Sequence, residues 1–215
     1  MDGVADEAFR MMDKAGIRGG LTLRPQVLTL NPNHTDDQPP DRGPFKYYQK
    51  FLLLPDGTSD IQAVADNLIH KIGYARKRWG NNLSIFYVDS TVTGPGGGAL
   101  DAKVFELVHE AFPDVLLAPE ESDFAYRRVS APLTNNEPRP YTTPIADTFA
   151  WPSSFSVNLM QGSVPRDANR TVIDEYLPAV CRGDILLCFP WFDDARNDVV
   201  SQVYDLAAHP GVCNS

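Results

Sequence analysis

A short apolar run that ends on a carboxylate constrains the fold of this chain more than any other feature. Residues Leu83–Ser90 read Leu-Ser-Ile-Phe-Tyr-Val-Asp-Ser, between a segment with helical periodicity and a glycine-rich loop. A β-branched and aromatic run bounded in this way predicts a buried strand. The strand would deliver Asp89 to the loop at its carboxyl end, where parallel α/β folds place catalytic groups.

A second run with the same organisation, Val115-Leu-Leu-Ala-Pro-Glu-Glu, follows at about the length of one βαβ unit, roughly 30 residues. Apolar residues at helical spacing predict helices before and between the two runs, at Asp60–Trp79 and Asp101–Phe112. Further strands are predicted at Gly20–Leu30, Phe155–Leu159 and Asp184–Phe189. Further helices are predicted at Val4–Lys14, Thr171–Val180 and Ala195–Ala208.

Strands that alternate with helices at this spacing predict an α/β fold with a mostly parallel sheet. We predict a single domain over residues 1–215, folded as a β/α barrel or partial TIM barrel. A complete barrel normally needs about 250 residues, and the sequence opens in a helix that would follow an earlier strand. We therefore expect a barrel that lacks its first strands, with an open doubly wound sheet as the alternative.

Composition excludes several classes of function. The formal net charge of −9 argues against nucleic-acid binding, because there is no basic surplus to neutralise phosphates. No apolar run approaches the roughly 20 residues that span a bilayer, so no membrane association is expected. The cysteines show no CxxC spacing and the histidines no HExxH pattern, which predicts no metal site and no cofactor. We expect Cys181, Cys188 and Cys213 to be isolated buried thiols.

Side-chain alternation along the predicted strands places polar residues repeatedly on one face, toward the strand ends. That arrangement suits an active site at the mouth of a barrel, although hydrogen bonding at strand ends would produce the same pattern. The residues that share this face are Arg24, Gln26, Tyr87, Asp89, Glu120 and Asn158.

The carboxylates are the candidate catalytic groups. Asp89 could act as a nucleophile or electrostatic stabiliser in glycosidic cleavage, or merely cap the following loop. Glu120 and Glu121 are candidates for the acid, because burial or a neighbouring carboxylate would raise the pKa of either group. Alternation favours Glu120, but Pro119 can distort the strand and leaves Glu121 open. The alternative for both glutamates is a solvated acidic loop.

Five other residues are predicted to bind substrate. Arg24 could bind a substrate hydroxyl or carboxylate, hold Asp89 ionised, or form a structural ion pair. Tyr87 and Trp191 could stack on a sugar ring, although core packing is the ordinary role of an aromatic side chain. Gln26 and Asn158 complete the set as polar residues of the same face.

Three segments resemble TIM-barrel glycoside-hydrolase-like proteins, in which an FYxDS strand and an xPE strand present acids at the barrel mouth. They are Gly19–Gln26, Tyr74–Ser90 and Leu117–Glu121, and the similarity extends from Ala5 to Ala208. The resemblance implies hydrolysis of a carbohydrate substrate without a cofactor. The chain departs from the pattern in lacking the first barrel strands.

That departure keeps two other functions open. One is a non-catalytic partial barrel whose exposed strand edges are covered by partner chains, as in a homo-oligomer, or by a missing N-terminal barrel segment. The other is a small-molecule enzyme with a phosphate ligand at the loop of residues 94–98. The sequence does not predict a cellular compartment.

Overall fold

The computed structural model describes residues 2–31, 33, 47–94, 97–120, 124–130, 133–135, 157–160, 170–181, 183, 185–188 and 196–213. The chain divides into two compact units, Met1–Ser130 and Ala131–Ser215, and each is described by itself. That residues 1–215 form one domain stays a prediction.

The first unit alternates helices and strands. Its described elements, in chain order, are α1 (Asp2–Lys14), β1 (Gly19–Leu23), β2 (Val27–Leu30), β3 (Tyr47–Lys50), α2 (Ile61–Trp79), β4 (Leu83–Val88), α3 (Ala102–Ala111), β5 (Leu116–Pro119) and a 3₁₀ helix (Phe124–Arg128). These bounds confirm the predicted helices α1, α2 and α3 and the two carboxylate-tipped strands.

A three-stranded parallel sheet in the order β1-β4-β5 organises this unit. One face of the sheet is covered by helices: Phe86, Val88 and Leu117 pack with Leu68 of α2 and Val104 of α3 in one buried core. The alternation that buries these residues turns their strand neighbours to the opposite face. The prediction that the apolar face lies against the helices is therefore confirmed for these strands.

The two helices of this core each begin at a capping aspartate. The Asp60 carboxylate accepts a hydrogen bond from the Ala63 N–H at 3.0 Å, and Asp101 accepts one from the Lys103 N–H at 2.8 Å. Both bonds satisfy backbone donors that the first helical turn leaves without a partner. Gly80 then ends α2 with φ +93°, a conformation that glycine adopts without steric cost.

The predicted strand Gly20–Leu30 is in fact two strands. The break falls at Pro25, whose missing N–H suits the end of a strand, and β2 then pairs antiparallel with β3 rather than with the parallel sheet. Sequence reasoning missed β3, because Tyr47–Lys50 carries no apolar alternation that would mark it as a strand.

The prediction of a β/α barrel or partial TIM barrel is wrong. The described strands form three separate sheets, and within the parallel sheet β1 and β5 each pair only with β4 among them. A barrel requires every strand to have two neighbours. β2 and β3 pair with each other in a separate antiparallel sheet and add no strand to the parallel sheet.

The second unit has a parallel sheet of its own, in the order β6-β7-β8. Its described elements are β6 (Leu133–Asn135), β7 (Val157–Met160), α4 (Arg170–Cys181), β8 (Ile185–Cys188) and α5 (Arg196–Ala207). The expectation of isolated thiols is wrong for two cysteines, because Cys181 and Cys213 form a disulfide. The end of α4 and the segment after α5 bring these two residues together, a proximity that residue spacing does not reveal.

None of the described helices combines the length and the apolar character needed to cross a bilayer.

Candidate active site

Three adjacent strands deliver three charged residues to one edge of the parallel sheet. Arg24 follows β1, Asp89 follows β4 and Glu120 follows β5. The backbone pairing continues to these residues, because the Asp89 N–H donates to the Leu23 carbonyl at 2.8 Å and the Glu120 N–H to the Val88 carbonyl at 2.9 Å. Arg24 and Asp89 are 65 positions apart along the chain, and Asp89 and Glu120 are 31 positions apart, yet the three residues lie side by side.

An ion pair joins the first two of these residues. The Arg24 Nη2 lies 2.5 Å from the Asp89 Oδ2, and 42% of the arginine side chain but only 12% of the aspartate side chain is exposed. The guanidinium therefore faces solvent while the carboxylate lies beneath it. The ion pair therefore places a positive charge directly beside the buried Asp89 carboxyl group.

The third residue, Glu120, is in contact with Asp89 through a hydrogen bond between the two carboxyl groups. Burial and the neighbouring Asp89 charge raise the pKa of Glu120, against the lowering effect of the hydrogen bonds that it accepts from Ser90 and Tyr87. Two carboxylates cannot hydrogen-bond to each other unless one carries a proton. The raised pKa of Glu120 makes it the member of the pair that more readily keeps that proton.

Tyr87 lies in β4 and is 5% exposed. Its pKa is raised by burial first and then by the charges of Glu120 and Asp89. The phenol is therefore neutral over the ordinary pH range and hydrogen-bonds to Glu120 as a donor. This one side chain therefore packs within the sheet and also makes a polar contact with Glu120.

Ser90 supplies a backbone contact that sequence reasoning missed. Its N–H donates to the Glu120 Oε2 at 2.6 Å, and its φ of +56° lies in the left-handed region that residues with a β-carbon rarely adopt. The Gln26 Nε2 in turn donates to the Ser90 carbonyl at 2.9 Å. The strained backbone conformation is thus held from both sides, and it aims a donor at the acid.

Gln26 has one further polar atom at this edge. The side chain is 3% exposed, and its Oε1 has no hydrogen-bond partner within the part of the chain that the structure describes. A buried acceptor without a donor costs free energy.

The structure does not describe the side chains of the remaining predicted site residues. Glu121 and Trp191 lie outside the described residues. Asn158 belongs to β7 in the second unit, and its side chain is also outside what is described. Pro119 ends β5 without displacing Glu120 from the ladder, so alternation selected the glutamate that meets Asp89.

The cluster is suited to proton transfer rather than to metal binding. In the described ranges no three His, Cys, Asp or Glu side chains are grouped so that they could hold a metal ion. The carboxyl ends of these strands offer a carboxyl group whose pKa is raised, a second carboxyl group paired with a guanidinium, and a neutral phenol. Those are the components of general acid catalysis beside a fixed negative charge.

A scan against protein-family models finds no match to this chain, and a search of curated proteins finds no significant relative. The resemblance to glycoside-hydrolase-like proteins therefore stays a prediction.

Proposed function

We propose that the protein is a carbohydrate-active hydrolase in which Glu120 is the general acid. The observation that carries the proposal is the Glu120 carboxyl group, whose pKa is raised by burial and by contact with Asp89 at the carboxyl edge of a parallel sheet. Glycoside hydrolysis needs a carboxylic acid that still holds its proton near neutral pH. The environment of Glu120 supports that role.

The reaction assigned to this residue is a transfer of one proton in each direction. Glu120 donates its proton to the glycosidic oxygen as the bond from that oxygen to the anomeric carbon breaks. The resulting carboxylate accepts a proton from the water molecule whose oxygen then bonds to the anomeric carbon. The net reaction is addition of one water across the glycosidic bond, and the enzyme is returned to its starting state.

Contact between the two carboxyl groups changes the role proposed for Asp89. Retaining enzymes hold their catalytic carboxyl groups about 5–5.5 Å apart, and inverting enzymes about 6.5–9.5 Å apart. A direct hydrogen bond is closer than either arrangement. We therefore assign Asp89 the role of holding the proton on Glu120 and of stabilising positive charge that develops on the sugar, rather than the role of nucleophile.

The surrounding groups suit a neutral polyhydroxylated substrate. The exposed part of Arg24 can donate hydrogen bonds to sugar hydroxyls. A strongly acidic chain with net charge −9 favours neutral over anionic glycans. A carbohydrate substrate with no cofactor is thus the proposal.

Replacement of the acid tests this function directly. Glu120→Gln keeps the shape and the acceptor for Ser90 but has no proton to transfer, and we expect it to lose about 10²–10⁴-fold in kcat on a panel of neutral glycans. Asp89→Asn should also lower activity and shift the pH profile. Glu110→Gln, at an exposed position of α3, is the matched control. Full cleavage by Glu120→Gln would refute the assignment, as would a wild-type protein that cleaves no glycan.

The two outer strands of the parallel sheet favour a second candidate, a non-catalytic protein that assembles with partner chains. Among the described strands, β1 and β5 each have one unpaired side, and unpaired edges are templates for strand addition. Sedimentation of the purified chain distinguishes the candidates. A stable homo-oligomer combined with no glycan cleavage would favour assembly over hydrolysis.

A further inference from the structure

Two polar side chains of α2 bind the short segment that carries Arg24 and Gln26. The Lys71 ammonium donates to the Arg24 carbonyl at 2.7 Å and to the Gln26 carbonyl at 2.8 Å. The Asn67 amide donates to the Pro25 carbonyl between them at 2.8 Å. All three consecutive carbonyls after β1 are therefore bound by residues one helical turn apart.

We propose that Lys71, with Asn67, is a positioning residue. It holds the backbone of Arg24–Gln26 in place and thereby sets how the Asp89–Glu120 carboxyl pair ionises. The proposal rests on the function assigned to that pair. Lys71 is remote from Asp89 and Glu120 along the chain, and the hydrogen bonds described for it go to main-chain oxygens. Its effect on the acid must pass through the residues that it holds.

One connection runs from Lys71 through Arg24 to Asp89. The carbonyl bond fixes the backbone from which the arginine side chain reaches the aspartate, at 2.5 Å between Nη2 and Oδ2. An arginine has many rotamers, so the position of its backbone decides how often the guanidinium meets its partner. Loosening this backbone would weaken the ion pair between Arg24 and Asp89.

A second connection runs from Lys71 through Gln26 to Glu120. The Gln26 carbonyl is bound by Lys71, while its side-chain amide holds the carbonyl of Ser90, whose N–H binds the Glu120 carboxyl. Each member of the acid pair is thus reached by a separate chain of hydrogen bonds from the same ammonium. Networks of this kind contribute more than their separate bonds because each bond orients the next.

A charged donor is a costly choice for a purely structural contact. Lys71 is half-buried, and burial lowers the pKa of its ammonium group. Removing a charge from water costs free energy that hydrogen bonds must offset, whereas an amide such as Asn67 binds a carbonyl without that cost. The three donors of an ammonium do permit it to bind two carbonyls at once, which an amide cannot do as readily in this geometry.

The test is a titration of the carboxyl pair, read without any substrate. We would follow the side-chain carboxyl carbons of Asp and Glu by NMR against pH, with Glu120→Gln and Asp89→Asn to identify the signals. In Lys71→Met, the first ionisation of the pair should move upward by about one pH unit, because the Arg24 cation is held less firmly beside the two carboxyl groups. Lys77→Met, at an exposed position of the same helix, should leave it unchanged.

A structural role alone predicts a different result. Lys71→Met would then lower the free energy of unfolding but leave the titration of the pair as in the wild type, and that outcome overturns the proposal. If Lys71→Met does not fold, Asn67→Ala removes one bond of the same set and should produce a smaller shift in the same direction; no shift in that variant overturns the proposal equally. If Lys71→Met shifts the titration of the pair but the wild-type protein cleaves no glycan, the hydrolase function is refuted and the positioning role stands.

Discussion

Glu120 carries most of the chemistry that this structure supports, and its protonation is linked to folding. Its pKa is raised above the ordinary value of 4.5, chiefly by burial. At pH values between the ordinary pKa and the raised pKa, the native state holds more protons than the unfolded state. The free energy of unfolding therefore falls as pH rises through this range. The stabilising contribution is fully present below the ordinary pKa and is lost as pH passes through the raised one.

Replacing this group by an amide should remove that dependence. We expect Glu120→Gln to be close to the wild type in stability at about pH 4 and more stable than the wild type near neutral pH, because an amide keeps its hydrogen on the Asp89 side at every pH. Urea unfolding from about pH 4 to about pH 8 measures the difference. Parallel stability curves for the two proteins would contradict the linkage.

The residue scale also shows how much of the site alternation can predict. Arg24, Asp89 and Glu120 follow three strands, and counting from buried apolar residues is enough to assign them to one edge. The roles of Ser90 and Lys71 are not accessible in that way. A serine in the left-handed conformation has no sequence signature. The sequence signal for Lys71 is weak, because it consists only of a polar pair, Asn67 and Lys71, whose adjacent helix residues Leu68 and Ile72 are buried.

At the scale of elements, helices and central strands follow from local sequence. The bounds of α2 depend on helical periodicity, on the Asp60 cap and on Gly80, all of which are nearest-neighbour properties. The pairing of β2 with β3 depends on a long connection between them and was not predictable by the same means. The close approach of β1 to β4 likewise becomes visible only when both strands are in place.

That close approach gives a test of the sheet. A β-carbon at Gly20 would lie 2.7 Å from the backbone oxygen of Ile85, which is too close for any atom pair of this kind, so the strands must separate. We expect Gly20→Ala to lower the free energy of unfolding by about 1–3 kcal/mol, measured by urea denaturation. Gly3→Ala in α1 is the matched control, because nothing lies within 4 Å of a β-carbon there. Equal stabilities for the two variants would argue against this strand register.

At the scale of the whole molecule, two compact units share the chain, and the second has a covalent link. The Cys181–Cys213 disulfide spans 32 residues and ties the end of α4 to the segment that follows α5. Cross-linking a loop of this size restricts the unfolded chain and is worth on the order of 3–4 kcal/mol. Formation of the bond requires an oxidising environment.

Reduction should therefore weaken the second unit selectively. We expect a reducing agent to increase amide hydrogen exchange in α4 and α5 and to leave α2 and β4 unchanged. A Cys181→Ala/Cys213→Ala double variant should behave like the reduced protein and show no further response to reductant. Identical exchange in the oxidised and reduced wild type would show that the disulfide contributes nothing to this unit.

Local sequence by itself determined the helices with their caps, the buried strands β4 and β5, and the delivery of Asp89 and Glu120 to strand ends. Each of these depends on residues within one or two turns of the position concerned. Tertiary structure decided that the sheets do not close into a barrel, that Cys181 meets Cys213, and that the two carboxyl groups touch beneath Arg24. Those outcomes depend on distances between residues that are far apart along the chain, and the raised pKa of Glu120 follows chiefly from the burial that the tertiary structure gives it.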